Sequence, residues 1–133
     1  MKVRLDTEAI KTISLFQNVT GSHIIDCIND EELYFVVAEG EYGAVIGKNG
    51  NKIKNAERIF RKQIVIFEYS PILERFIKNM IPETTNIVLK EGEIDVFVKP
   101  VDRARVIGKA GKKIKIINRL LKRLHDVDNL KVK

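Results

Sequence analysis

The chain is short of cysteine, histidine and long apolar runs, and each shortage removes a class of function. Cys27 is the single cysteine in 133 residues. It can close no internal disulfide and no multi-cysteine zinc site, which fits a reducing interior. The two histidines, His23 and His125, lie far apart in sequence and lack metal-ligand spacing. No Ser/His/Asp set and no close carboxylate pair is legible, so the chain reads as a non-enzyme without cofactor or metal. No apolar run approaches the roughly 18 residues of a membrane span. The opening Met1-Lys2-Val3-Arg4-Leu5-Asp6 has charges but no apolar segment behind them, unlike a signal peptide. A soluble, cytoplasmic protein with no membrane partner is expected.

What is abundant is positive charge, and it is unevenly placed. The net charge is +6. Residues 1–70 hold nine Lys/Arg against ten Asp/Glu, whereas residues 71–133 hold fifteen against eight. A basic balance favours a polyanionic partner without saying which one.

One stretch occurs twice. Val45-Ile46-Gly47-Lys48-Asn49-Gly50-Asn51-Lys52-Ile53-Lys54 aligns with Val106-Ile107-Gly108-Lys109-Ala110-Gly111-Lys112-Lys113-Ile114-Lys115, with eight matches in ten positions. Arg58 and Arg119 coincide downstream, also 61 positions apart. That is an internal duplication. Each Gly-Lys-x-Gly heads a basic helix pattern. A helix N-terminus exposes backbone N–H groups without intrahelical partners, and its aligned dipoles attract anions. Glycine lets the backbone turn sharply and lets a ligand approach closely. A phosphate cradle beside an apolar Val-Ile wall suits a nucleotide chain. The rival phosphate motif, a P-loop, needs Gly-x4-Gly-Lys-Ser/Thr. Tyr42 and Asn49 stand at its outer positions in the first copy, Arg103 and Ala110 in the second, so NTP hydrolysis is unsupported.

The remaining pattern places these loops. A helix is expected from Asp6 or Thr7 to Gly21, with Ile10, Ile13 and Phe16 on its apolar face. Strands follow at Ser22–Ile28 and Leu33–Ala38, joined at Asn29-Asp30 as a hairpin. A short helix over Glu41–Ile46 delivers the chain to Gly47. The helix from Gly50 to about Lys62 turns Ile53, Ala56 and Phe60 inward and Lys54, Arg58 and Arg61 outward. Gln63–Tyr69 reads as a strand. Ser70-Pro71 then opens a second cycle: a helix Pro71–Met80 with Ile72, Phe76 and Met80 on one face, and strands Asn86–Lys90 and Ile94–Lys99 around Glu91-Gly92. Val101–Ile107, a basic helix Gly111–Leu124 and a strand Val127–Val132 complete it. In that helix Ile114, Ile117, Leu121 and Leu124 should face inward. The fold class is therefore α+β: two tandem α-β-β-α-α-β units, 1–69 and 70–133, each a three-stranded sheet with helices packed on one face. Units this small bury little core alone and no flexible linker separates them, so they are expected to pack together and present one surface.

The Val-Ile-Gly-Lys-x-Gly loops resemble the signature of the KH domain, whose GXXG loop clamps about four backbone nucleotides of a single strand. The element order resembles the type II KH fold. Repeat order and length resemble the archaeal form of the transcription factor NusA, over almost the whole chain. That resemblance implies single-stranded RNA as partner, a nascent transcript or rRNA, and a role in transcription elongation, termination or antitermination, with RNA polymerase as a further partner. A ribosome-assembly or rRNA-processing factor with ribosomal partners, or a KH-fold protein-interaction module, are the alternatives. The expected RNA-binding residues are Val45, Ile46, Gly47, Lys48, Asn49, Gly50, Lys52, Lys54 and Arg58 in the first copy. In the second they are Arg103, Arg105, Val106, Ile107, Gly108, Lys109, Ala110, Gly111, Lys112, Lys113, Lys115 and Arg119. Arg103 and Arg105 have no basic counterparts at Tyr42 and Ala44. No aromatic stacking platform is evident, so sequence preference should be modest.

Overall fold

The computed structural model describes residues 6–133. The N-terminal stretch read above as lacking a signal sequence lies, over residues 1–5, outside the described residues. The chain divides at Ser70/Pro71 into two compact units.

The first unit begins with α1 (Thr7–Thr20). The Asp6 carboxylate caps it by accepting the Ala9 N–H at 2.7 Å, and Gly21 closes it in the left-handed conformation. Then come β1 (Ile24–Asn29) and β2 (Leu33–Val37), an antiparallel hairpin. The chain continues through α2 (Tyr42–Ile46), a 3-10 turn at Lys48–Gly50, α3 (Asn51–Phe60) and β3 (Ile64–Glu68). A hairpin forces β1 and β2 antiparallel. The helical crossover returns β3 parallel to β2, so the central strand is β2.

The core lies between sheet and helices. Leu33, Phe35 and Val37 project from β2 into a cluster with Ile13, Phe16, Val45 and Ala56. Phe16 stacks on Phe35 with centroids 3.9 Å apart. Phe60 leans on both rings.

The second unit repeats the order: α4 (Leu73–Met80), β4 (Asn86–Lys90), β5 (Glu93–Phe97), α5 (Pro100–Ile107), a 3-10 turn at Lys109–Gly111, α6 (Lys112–His125) and β6 (Asn129–Val132). Its sheet has the same topology, with β5 central, antiparallel to β4 and parallel to β6. Leu33 pairs with Ile64 in the first sheet and Ile94 with Leu130 in the second. Buried Ile94, Val96, Val106, Ile117, Leu121 and Leu130 are drawn from four of its elements.

Several expected boundaries move. α4 starts at Leu73, not Pro71, because Ile72 is extended (φ −89°, ψ 112°). Ile72 is consequently exposed instead of lying with Phe76 and Met80. Ile10 is also exposed, so the inner face of α1 is Ile13 and Phe16. Asn29 belongs to β1 opposite Leu33, and the turn shifts to residues 30–32. Pro100 opens α5 at its first position, where a missing N–H costs nothing. β5 accordingly stops at Phe97, short of the expected Lys99. α6 has 14 residues against 10 in α3.

Candidate nucleic-acid interface

Each repeated stretch forms the same backbone object. Gly47 lies at φ 77°, ψ 177° and Gly108 at φ 81°, ψ 170°. This extended positive-φ region is nearly exclusive to glycine. Asn49 and Ala110 are both left-handed, at φ 55°, ψ 27° and φ 55°, ψ 28°. Gly50 and Gly111 follow at φ 72°, ψ 20° and φ 73°, ψ 15°. The turn is closed by the Gly50 N–H donating to the Gly47 carbonyl at 3.2 Å, and by Gly111 to Gly108 at 3.1 Å. Neither α3 nor α6 has a side-chain cap at its N-terminus. The first-turn N–H groups therefore meet the loop without a side-chain acceptor from the capping residue, a glycine in both copies.

The first glycine of each loop is dictated by packing. A Cβ on Gly108 would stand 2.9 Å from the Lys113 backbone nitrogen and 2.8 Å from its Cβ. On Gly47 it would collide with the Asn51 side-chain oxygen and stand 2.7 Å from Lys52 Cγ. The second glycine is different. Nothing lies nearer than 3.8 Å to a Cβ at Gly50, or 4.0 Å at Gly111. It serves the left-handed turn alone.

The charged side chains sort into two groups. Lys48, Lys54 and Arg58 in the first unit are exposed, as are Lys109, Lys115 and Arg119 in the second. Lys112 and Lys113 are half-buried at the start of α6. Others are already engaged. Lys52 Nζ donates to the Thr20 carbonyl at 3.3 Å, at the carboxyl end of α1. Arg105 donates to Asp102 at 2.6 Å and Glu83 at 3.3 Å. Those two carboxylates, Glu83 first, push its guanidinium pKa further up. Lys52 and Arg105, both expected at the RNA interface, are thus tied to these partners in the structure while remaining at the surface.

The apolar pairs also divide. Val45 and Val106 are wholly buried and belong to the cores. This corrects the expectation that both members of each pair wall a groove: the valine points under the loop, where α2 or α5 packs. Ile46 and Ile107 are half-buried and remain at the surface.

In the second unit a groove of about 760 Å³ opens beside the loop. Arg103 and Ile107 of α5 form one side, Ile114 and Asn118 of α6 the floor, and residues 129–133 along β6 the other side. β6 is an edge strand. Asn118 spans to it in both directions, accepting the Leu130 N–H at 2.7 Å and donating to the Leu130 carbonyl at 3.2 Å. The opening suits a single nucleotide strand in character: cationic at Arg103, greasy at Ile107 and Ile114, and edged by strand backbone. Sequence reasoning missed Asn118 and the β6 wall. The only available signal was a strand pattern at Val127–Val132, which does not say that its edge is open.

Among the described residues no cluster of His, Cys, Asp or Glu is placed to hold a metal, and no helix is long and apolar enough to cross a membrane. Cys27 is buried.

Known proteins resemble this chain. The family model described as KH domain matches residues 11–83. A protein of Methanococcus vannielii named probable transcription termination protein NusA is 41% identical over 139 residues, covering 99% of this chain and 80% of the relative. The protein of the same name from Methanocaldococcus jannaschii is 38% identical, with 98% and 75% covered. The solved crystal structure of a protein designated APE1850 aligns with a TM-score of 0.79 at 33% identity, over 97% of this chain and 100% of that one.

Proposed function

From the premise that the chain belongs to the KH-domain family, in the company of the archaeal NusA proteins, we propose that it binds single-stranded RNA and acts in transcription. Each unit, 1–69 and 70–133, is one type II KH domain in this reading. The nascent transcript is the natural single strand in that process, and RNA polymerase the machine nearby.

The observation that carries the mechanism is the recurrence of one loop conformation, glycine by glycine, in front of two uncapped basic helices. The Gly47–Gly50 and Gly108–Gly111 turns hold the sugar-phosphate backbone against the N–H groups of α3 and α6. Lys48 and Lys109 neutralise phosphate. Lys54, Arg58, Lys115 and Arg119 extend the positive track one and two helical turns further. In the second unit, unstacked bases lie against Ile107 and Ile114, with their edges toward β6. Without an aromatic platform in that groove, affinity comes mainly from backbone contact, so binding is salt-sensitive and only modestly selective.

The test is titration of a short single-stranded RNA library against salt, for the wild type and two loop variants: Lys48→Asp with Asn49→Asp, and Lys109→Asp with Ala110→Asp. Aspartate tolerates the left-handed position better than most residues, so both variants should keep wild-type circular dichroism. The expected result is weakened binding and a shallower dependence of log K on log salt, by about 0.7 for each phosphate no longer neutralised. Unchanged affinity in both variants would refute the RNA clamp.

A further inference from the structure

The two units share a loop but not a groove wall, and the differences fall on equivalent positions. The loops are offset by 61 residues, and the same offset relates the paired strand residues Leu33 and Ile94. It also relates Glu57 of α3 to Asn118 of α6. The two side chains do the same job. Glu57 accepts the Ile64 N–H at 3.0 Å, and Asn118 accepts the Leu130 N–H at 2.7 Å. Ile64 and Leu130 are themselves equivalent, being the partners of Leu33 and Ile94. At the helix-to-edge-strand junction the first unit therefore carries a carboxylate where the second carries a neutral amide.

A second position changes in the same direction. Arg103, on the lip of the second groove, is matched by Tyr42. The Tyr42 N–H in turn donates to the Glu68 carboxylate at 3.2 Å. So the first unit loses a cation at position 42 and gains an acid at position 57, the counterparts of two residues that line the second groove. The overall charge follows suit, nine basic against ten acidic residues in 1–70 and fifteen against eight in 71–133.

We infer that the second unit is the principal RNA site, and that Glu57 is a residue that holds the first groove to weak binding. This rests on the RNA-clamp reading above and deepens it. The loop of the first unit is intact, so it can still grip a phosphate. Its wall repels the neighbouring phosphates that the second unit's wall tolerates. Glu57 cannot relax away from this arrangement without giving up the Ile64 N–H. Two unit charges beside a phosphate chain amount to a difference on the order of tenfold in affinity between the grooves at low salt.

The experiment uses the full chain and a fluorescently labelled single-stranded RNA of mixed sequence, read by anisotropy at low and at physiological salt. The Lys109→Asp/Ala110→Asp variant should weaken binding about tenfold or more, and Lys48→Asp/Asn49→Asp less than about threefold. Glu57→Gln keeps an acceptor for Ile64, so it should fold normally; introduced into the Lys109→Asp/Ala110→Asp variant, where the first groove carries the binding, it should tighten binding about two- to threefold at low salt. That gain should vanish when Lys48→Asp/Asn49→Asp is added. Equal losses in the two loop variants, or a larger loss in the first, would overturn the inference while leaving the RNA clamp standing. An unchanged affinity for Glu57→Gln in the Lys109→Asp/Ala110→Asp variant would remove Glu57 as the cause. If neither loop variant lost affinity, the clamp itself would fall, and this inference with it.

Discussion

The two glycines of one loop should respond very differently to the same substitution. Consider Gly108→Ala against Gly111→Ala. Gly111 sits in the left-handed helical region with its Cβ direction open, the nearest atom being Ile114 Cγ2 at 4.0 Å. Alanine there bears only the left-handed penalty of about 1–2 kcal/mol. The stiffer unfolded chain returns about 0.4–1 kcal/mol, so the net loss should be near 1 kcal/mol. Gly108 bears two burdens. Its φ of 81° with ψ of 170° lies in the glycine-only region, which costs a side chain about 1–3 kcal/mol. Its Cβ would also stand 2.9 Å from a backbone nitrogen of α6, which only a shift of the helix can relieve. Overpacking of that kind adds about 1–3 kcal/mol. With the same return from the unfolded chain, the expected loss is about 2–5 kcal/mol, concentrated where α5 meets α6. Urea unfolding followed by far-ultraviolet circular dichroism measures both, with the slope against urea checked for constancy. The same logic says that Ala110, left-handed at φ 55°, is strained, and that Ala110→Gly should gain about 0.5–1 kcal/mol. If Gly111→Ala proved as costly as Gly108→Ala, the assignment of the first glycine to packing and the second to turn geometry would be wrong.

Two further outcomes are expected. Arg103→Ala should weaken RNA binding about three- to tenfold, whereas Arg105→Ala should change it less than twofold, because Arg105 is committed to Asp102 and Glu83; equal effects measured by the same anisotropy titration would show that the ion pairs open on binding. The Lys90–Asp95 pair across β4 and β5, at 2.9 Å, should leave a pH signature at both ends of the scale. The hydrogen bond from Lys90 holds the Asp95 pKa below its usual value despite opposition from burial, so its contribution is full above about pH 4 and fades as pH falls further. Lys90 is shifted upward by the same partner, so its share is present below about pH 10.5 and is lost as pH rises through the raised value. Thermal melts of Asp95→Asn should lose the wild type's dependence at the acid end, and an unaltered profile would show that the pair contributes nothing.

The sequence carried the backbone well and the side-chain commitments poorly. Element order, the duplicated loops and the hairpin turn at Glu91-Gly92 are local matters of periodicity and glycine placement, and one chain displays them openly. The start of α4 was misplaced because Ser70-Pro71 has the look of a cap, while Ile72 adopts an extended conformation that no local rule announces. Ile10 reads as core by spacing yet is exposed, since the face that α1 turns to β1 and β2 is narrower than its apolar stripe. Lys52 and Arg105 read as free cations because their partners, Thr20, Glu83 and Asp102, are mostly distant in sequence. Nothing in the sequence marks Asn118. Only the parallel return of β6 puts a strand edge within its reach.

The glycines themselves say less about a ligand than their motif suggests. Gly47 and Gly108 are required by the packing of each loop against its own helix, ligand or none. Gly50 and Gly111 are required by a left-handed turn that asparagine also occupies in nature, and Asn49 adopts such a conformation one residue earlier. A helix-capping turn with no binding role would keep all four. What such a turn would not keep is an exposed lysine between the glycines, followed by exposed cations at the same two later positions in both copies. Nor would it need a groove whose far wall is an edge strand. It follows that glycine substitutions report on the fold, while charge reversals at Lys48 and Lys109 report on the ligand. A loop variant that retains its circular dichroism but loses the salt dependence of RNA binding separates the two roles within one residue pair.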